Sequence, residues 1–306
     1  LTWPVAVVGW ITSIVQQAEA SQERINLFLK EEPEIKDGPG VQKEIKGALE
    51  LKNVSLRYPE TQIQALENIS LKIPTGTTLG ILGNIGSGKS TLLDLITRLY
   101  DPSEGKILLD GIDLKEYTLE QLREAIGSIP QNAFLFSESI EDNIRFGSIN
   151  ASREAIQEAS KEAVVHKNII DFKEGYQTLL GERGVTLSGG QIQRVSIARA
   201  FIKDPNILLL DDCLSAVDTD TEEEILKHLK KIAQNKTTLI VSHRISSLKH
   251  ADQIIVFDWG GYEDPAFFTA YVDKYGTSPE YSFFSDEEEA FQKVRAGFKA
   301  DLGHPC

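Results

Sequence analysis

The segment Gly83-Asn84-Ile85-Gly86-Ser87-Gly88-Lys89-Ser90 constrains this chain more than any other. It has the form G-x-x-x-x-G-K-[ST], a glycine-rich loop whose backbone N–H groups can wrap phosphate oxygens. It lies between an apolar run, Thr78 to Leu82, that reads as a strand and a segment, Ser90 to Leu99, that reads as a helix. This strand–loop–helix context separates a phosphate cradle from an ordinary glycine-rich turn. In such a cradle Lys89 neutralises the β- and γ-phosphates of a nucleotide and Ser90 ligates Mg²⁺.

Around this loop, strands and helices alternate. Leu49 to Tyr58, Ile69 to Ile73, Thr237 to Val241 and Gln253 to Phe257 read as further strands. Ile207 to Leu210 is a continuous apolar run, the pattern of a strand buried on both faces. Arg153 to Phe201 is almost all helical in pattern. The order predicts an α/β fold, a sheet wrapped by helices with a helical insertion.

Net charge is -14 and the isoelectric point is about 4.9. A phosphate backbone needs clustered Lys and Arg, so a surface this acidic is poorly suited to nucleic acid and no nucleic-acid partner is expected. The two cysteines, Cys213 and Cys306, build no disulfide framework or zinc spacing. The chain has no Met and starts at Leu1 inside an apolar run, which reads as a fragment. Leu1 to Val15 is too short to span a bilayer, which takes about 20 residues, and it lacks signal-peptide features. Ile14, Ala18, Ile25 and Leu29 can share a helical face, so the opening reads as the end of a transmembrane helix continuing into a cytoplasmic extension. Asp37-Gly38-Pro39-Gly40 marks a linker.

Two more motifs follow the loop. Ile207-Leu208-Leu209-Leu210-Asp211 places a carboxylate at a strand's end, where it can hold Mg²⁺ through its water shell. In Leu187-Ser188-Gly189-Gly190-Gln191, Ser188 opens a long helix, so hydroxyl, backbone N–H groups and helix dipole could face an anion. On local physics alone an ordinary N-cap is the better account of Ser188. With the phosphate loop upstream, however, Leu187 to Gln191 resembles the signature sequence of ABC transporter ATPases.

The resemblance implies a P-loop core with an antiparallel β subdomain and a helical subdomain. It also implies that the signature completes a partner subunit's nucleotide site, so that two domains sandwich two ATP molecules. It assigns ATP contacts to Gly83, Asn84, Gly86, Ser87, Gly88, Lys89, Ser90 and Thr91. Tyr58 resembles the aromatic that stacks on adenine. Gln131, in Ile129-Pro130-Gln131, resembles the glutamine that senses Mg²⁺ and the transmembrane part, so the implied metal residues are Ser90, Gln131 and Asp211. Ser215-Ala216-Val217-Asp218 resembles the loop that crosses the dimer interface, and His243 the histidine that contacts the γ-phosphate. Ser188, Gly189, Gly190, Gln191 and Asp218 are thereby expected at nucleotide across the interface.

The subtype resembles exporters: Gly181-Glu182-Arg183-Gly184, Leu99-Tyr100-Asp101-Pro102 and Phe134-Leu135-Phe136 are similar to exporter segments. This implies transmembrane partner domains and a place on the cytoplasmic face of the cell inner membrane; a non-transport ABC ATPase is the alternative. Asp212 stands where the family's catalytic glutamate is usual. Aspartate keeps the charge but is one methylene shorter, and a general base must reach its water. The Asp211-Asp212 pair resembles the slow half of heterodimeric exporters, which implies a second, different ABC ATPase subunit.

Domain expectations are residues 1–41 as the end of a transmembrane helix with linker, 42–258 as the ATP-binding domain, and 259–306 as a separate tail. The tail holds 11 of the chain's 24 aromatics. Its opening, with Trp259 and Tyr262, resembles the start of polyamine-type periplasmic solute-binding proteins, as in an artificial fusion. Its 48 residues are too few for a two-lobed cleft, and the expectation is that its aromatics pack rather than bind polyamine.

Overall fold

The computed structural model describes residues 2–83, 86–181 and 186–257, and the fold is given for those. The expectations for Asn84, for Glu182 to Gly184 and for the tail with Trp259 and Tyr262 fall outside them.

The chain divides into two units between Lys36 and Asp37. The first is built on one long helix, α1 (Thr2–Lys30). Trp3, Val5, Val8, Trp10 and Ile11 are exposed on it. No helix among the described residues is long and apolar enough to cross a membrane.

The second unit opens on Asp37 to Gly40, the segment expected as a linker. These residues are tied to their own unit: Asp37 Oδ1 accepts from Leu119 N at 2.6 Å and Gly40 N donates to Glu116 O at 3.0 Å. Two sheets follow. In the first, β1 (Leu49–Arg57), β2 (Gln64–Ile73), β4 (Glu104–Leu109) and β5 (Ile112–Asp113) form an antiparallel sheet in the order β2-β1-β4-β5. β2 starts at Gln64, five residues before the expected Ile69. The sequence Gln64 to Asn68 has little strand character, but hairpin pairing of Arg57 with Gln64 and Leu56 with Leu66 carries the strand back to the turn.

In the second sheet, β3 (Thr78–Gly83), β6 (Ile126–Ile129), β7 (Ile207–Asp211), β8 (Thr237–Ser242) and β9 (Gln253–Phe257) are parallel in the order β6-β7-β8-β3-β9. The apolar run of β7 is buried as its composition predicts. Its side chains alternate between two cores: Leu208 and Leu210 join one, Ile207 and Leu209 the other. A strand with both faces covered has no polar face to show.

Five helices pack on this sheet: α2 (Lys89–Ile96), α3 (Leu119–Ala125), α7 (Gly189–Phe201), α8 (Thr219–Ile232) and α9 (Ile245–Leu248), while α4 (Ile140–Arg145) and α5 (Arg153–Glu162) pack on α7, and α6 (His166–Ile170) on α5. The expected helical stretch from Arg153 to Phe201 is interrupted after α6. Leu179 forms an antiparallel bridge with Ser139 instead, because pairing with that distant segment supplies its backbone partners. α2 ends at Ile96 rather than Leu99, where Arg98 adopts a positive φ of 54°.

Parallel register then fixes what meets what. Leu82 is level with Ser242, and Asp211 with Val241. The carboxyl ends of β3, β7 and β8 therefore stop side by side. In open parallel sheets this edge is where ligands bind.

Candidate nucleotide site

The phosphate loop leaves β3 and enters α2. Gly86 has φ +89° and Gly88 φ +87°, a left-handed conformation that favours glycine. At Gly88 a Cβ would also lie 2.6 Å from the Ala65 carbonyl oxygen. Both its backbone angle and its surroundings therefore demand glycine. Lys89, the first residue of α2, is buried. Its ammonium donates to Gly83 O at 2.8 Å and to Ser87 Oγ at 3.1 Å.

One cleft of about 350 Å³ is lined by Gly86, Gly88, Lys89, Ser90, Thr91, Tyr58, Gln131, Asp211, Asp212 and His243, with Ile63, Gln64, Ala65 and Val241. Residues as distant in sequence as Gly86 and His243 meet there because the parallel strand ends are level. Tyr58, just past β1, brings the antiparallel sheet to its rim. Its hydroxyl lies 2.8 Å from Thr91 Oγ1, and its ring meets Tyr100 edge-on at 5.3 Å between centroids. Tyr58 is thus held to the start of α2.

The acidic pair has a defined electrostatic setting. Burial pushes the Asp211 carboxyl above the usual carboxylate range, and the neighbouring Asp212 adds to this. A hydrogen bond from Ser90 and the charges of Lys89 and His243 oppose it. Asp94, on α2, is raised mainly by burial and secondarily by Asp211. A partly desolvated site with excess negative charge suits a cation, and hydroxyl and carboxylate are hard oxygen donors of the kind Mg²⁺ takes. Ser90 can supply the hydroxyl and Asp211 the carboxylate, and Gln131 can add an amide oxygen. Asp212 sits at φ +41°, and its N–H donates to Val241 O at 2.9 Å. Ser242 Oγ lies 3.5 Å from its carboxylate.

His243 follows β8. Its Nδ1 is 2.7 Å from Gly83 O. A carbonyl only accepts, so Nδ1 carries the hydrogen and Nε2 is the ring's other valence.

Ser188, Gly189, Gly190, Gln191 and Asp218 do not line this cleft. Ser188 caps α7 in a reciprocal box: its hydroxyl accepts from Gln191 N at 3.3 Å, and Ser188 N donates to Gln191 Oε1 at 2.9 Å. Ser188 and Gly189 are exposed. Asp218 caps α8 by accepting from Thr221 N at 3.0 Å, and that backbone bond holds its carboxyl below the usual range. The two caps are joined. Ala216 N donates to Gln193 Oε1 of α7 at 3.2 Å, and a Cβ on Gly190 would stand 2.9 Å from Ala216 O.

Sequence reading missed Gln193, Glu222 and Asp94. Glu222 is buried on α8, but in sequence it is one of three consecutive glutamates, with nothing to distinguish it from a solvated face. Gln193 and Asp94 carry no motif of their own, and only tertiary contact selects them.

Residues 66–215 match the family model for the ABC transporter. The chain is 46% identical over 262 residues to the uncharacterized ABC transporter ATP-binding protein YknU of Bacillus subtilis, covering 85% of this chain and 45% of that protein. It is 42% identical to the multidrug resistance-like ATP-binding protein MdlA of Escherichia coli, covering 85% and 44%. It is 41% identical to the ATP-dependent lipid A-core flippase of Chromohalobacter salexigens, covering 84% and 44%. The chain therefore spans less than half the length of these relatives. Among solved structures, a bacterial Atm1-family ABC exporter with ATP bound superimposes with a TM-score of 0.76 at 34% identity, covering 85% of this chain and 46% of that one.

Proposed function

We propose that this chain, which carries an ABC transporter ATP-binding domain, is the motor part of an exporter. The observation that carries this reading is the meeting of Lys89, Ser90, Asp211, Asp212 and His243 in one cleft at the level ends of three parallel strands. The triphosphate lies along the start of α2, where N–H groups, helix dipole and Lys89 all favour negative charge. Tyr58 offers its ring to the base. Ser90, Asp211 and Gln131 would hold Mg²⁺, which would supply neutralisation of the phosphate charge. Asp212 orients the attacking water and accepts its proton, and His243 steadies the terminal phosphate.

The signature turn at Ser188 to Gln191 and the loop ending at Asp218 serve a second ATP-binding subunit. The exposure of Ser188, Gly189 and Asp218, and the absence of both segments from the chain's own cleft, support this. The short Asp212 side chain makes the chain's own site the slower one of a heterodimer. Transmembrane domains are the other partner, and the chain meets them on the cytoplasmic face of the inner membrane. The names of a flippase and an exporter among the similar proteins support transmembrane partner domains, and an exposed aromatic patch offers them a contact surface. In that patch Phe134 meets Phe136 edge-on at 5.2 Å, and Phe136 meets Phe146 at 4.9 Å.

Titration of a fluorescent ATP analogue with Mg²⁺ tests the site. Lys89→Ala removes a buried ammonium that makes charge-assisted bonds, worth about 1.5–3 kcal/mol each. The expected result is a loss of affinity of about tenfold or more, and equal affinity in both forms would overturn the assignment.

A further inference from the structure

Glu222 is a buried carboxylate, 3% exposed, that the nucleotide cleft does not include. It sits in the first turn of α8. Burial of a carboxylate is costly unless it is paired and hydrogen-bonded. Among the described residues its carboxylate's partners come from one short segment, the one that follows His243. Ser247 Oγ donates to Glu222 Oε1 at 2.5 Å, Ser246 Oγ lies 3.4 Å from the same oxygen, and Arg244 Nη1 lies 3.4 Å from Oε2. Arg244 also reaches the other way: its Nη2 donates to Ser215 O at 3.2 Å. Its backbone N–H donates to Ser242 Oγ at 3.0 Å, and Ser242 in turn lies 3.5 Å from Asp212.

The position of His243 therefore has two anchors. One is its own ring bond to Gly83. The other is the chain on its carboxyl side, where α9 is a single turn with no side-chain cap at Arg244. A one-turn helix has little stability of its own. We infer that Glu222 is a positioning residue for His243: by gathering Arg244, Ser246 and Ser247 it holds the histidine-bearing loop against α8. Through Arg244 it also joins that loop to Ser215, in the turn that leads from Asp212 to α8. This inference rests on the nucleotide-site reading above, and its test separates the two.

The experiment uses the full 306-residue chain in a dimer whose other site is disabled, and measures, for each variant, thermal melting, the dissociation constant for MgATP and the single-turnover rate constant with dimer in excess. Glu222→Ala is expected to lower the rate constant about tenfold while the dissociation constant stays within about twofold, since loss of positioning acts on the rate rather than on ground-state binding. Glu222→Gln, which still accepts from Ser247 but loses the charge facing Arg244, is expected to recover part of that loss. In a His243→Ala background Glu222→Ala should lower the rate no further, because the two residues act through one another. A purely structural role would instead give the same drop in both backgrounds, and that result overturns the inference.

In chain labelled with ¹⁵N-histidine, the His243 Nδ1–H resonance, identified by its loss in His243→Ala, should weaken or vanish in Glu222→Ala; an unchanged resonance also overturns the inference. Should Glu222→Ala not fold, Arg244→Ala, whose side chain is 44% exposed, is expected to lower the rate in the same way, and an unchanged rate counts against the inference. If His243→Ala itself keeps the full rate, the nucleotide-site reading falls and this inference with it. If His243→Ala loses rate and Glu222→Ala does not, only this inference falls.

Discussion

His243 Nδ1 lies 2.7 Å from the carbonyl oxygen of Gly83, a residue 160 positions earlier. The ammonium of Lys89 donates to the same oxygen at 2.8 Å. One carbonyl at the end of β3 thus accepts from both, using both of its lone pairs. The bond fixes the tautomer and the ring's attachment point, so the histidine is held in place before nucleotide arrives.

The first prediction concerns this histidine. His243→Ala should leave the dissociation constant for MgATP nearly unchanged, because Lys89 and the loop N–H groups remain. The single-turnover rate should fall by about 10² or more, the lower end of what a positioned polar group contributes. A parallel loss of affinity in the fluorescent titration would show that His243 acts in binding rather than turnover.

The second concerns reach. Asp212 occupies the left-handed region, which aspartate tolerates better than most residues. Asp212→Glu keeps the charge and adds one methylene. Single-turnover hydrolysis should then rise about tenfold, part of the range available to a well-placed general base. The measurement is made in a dimer whose other site is disabled. No acceleration would mean that the shorter side chain is not what limits this site.

A third follows from Asp94, whose carboxyl is raised by burial and by Asp211. A folded-state value above the unfolded one means that the folded chain holds more protons across that window. The wild type therefore loses stability as pH rises from about 3.8 through the raised value, and carries the full penalty above it. Asp94→Asn removes the penalty. Its melting temperature should exceed that of wild type at pH 7 to 8, and the gap should close on acidification. A gap of constant size across pH would rule out the electrostatic cause.

The paired glycines of α7 give a fourth. Alanine is favoured over glycine in a helix by about 1 kcal/mol. At Gly189 an added Cβ meets only the Ala216 Cβ at 3.8 Å, an ordinary contact, whereas at Gly190 it meets the Ala216 carbonyl oxygen at 2.9 Å. Gly189→Ala should therefore hold or raise the melting temperature, while Gly190→Ala should lower it by several degrees or displace the turn at Ala216. Differential scanning calorimetry distinguishes them, and equal shifts would refute the contact argument.

The sequence by itself determined the parts whose chemistry is local. Gly88 has no room for a side chain, and its loop is legible because only glycine meets that demand next to a Lys-Ser helix start. The apolar run of β7 announces its double burial because a strand with two covered faces needs no polar residue. Ser188 announces a helix start because its hydroxyl can cap the first turn locally. Tertiary structure alone decided what depends on distant partners. β2 reaches back to Gln64 because β1 pairs with it, not because its residues favour a strand. Leu179 leaves the helical pattern because Ser139 offers it backbone partners. Glu222 reads as one of a run of exposed acids until Arg244, Ser246 and Ser247 close over it. Sequence records a residue's own preferences, whereas hydrogen-bond partners and burial belong to pairs that only the folded chain brings together.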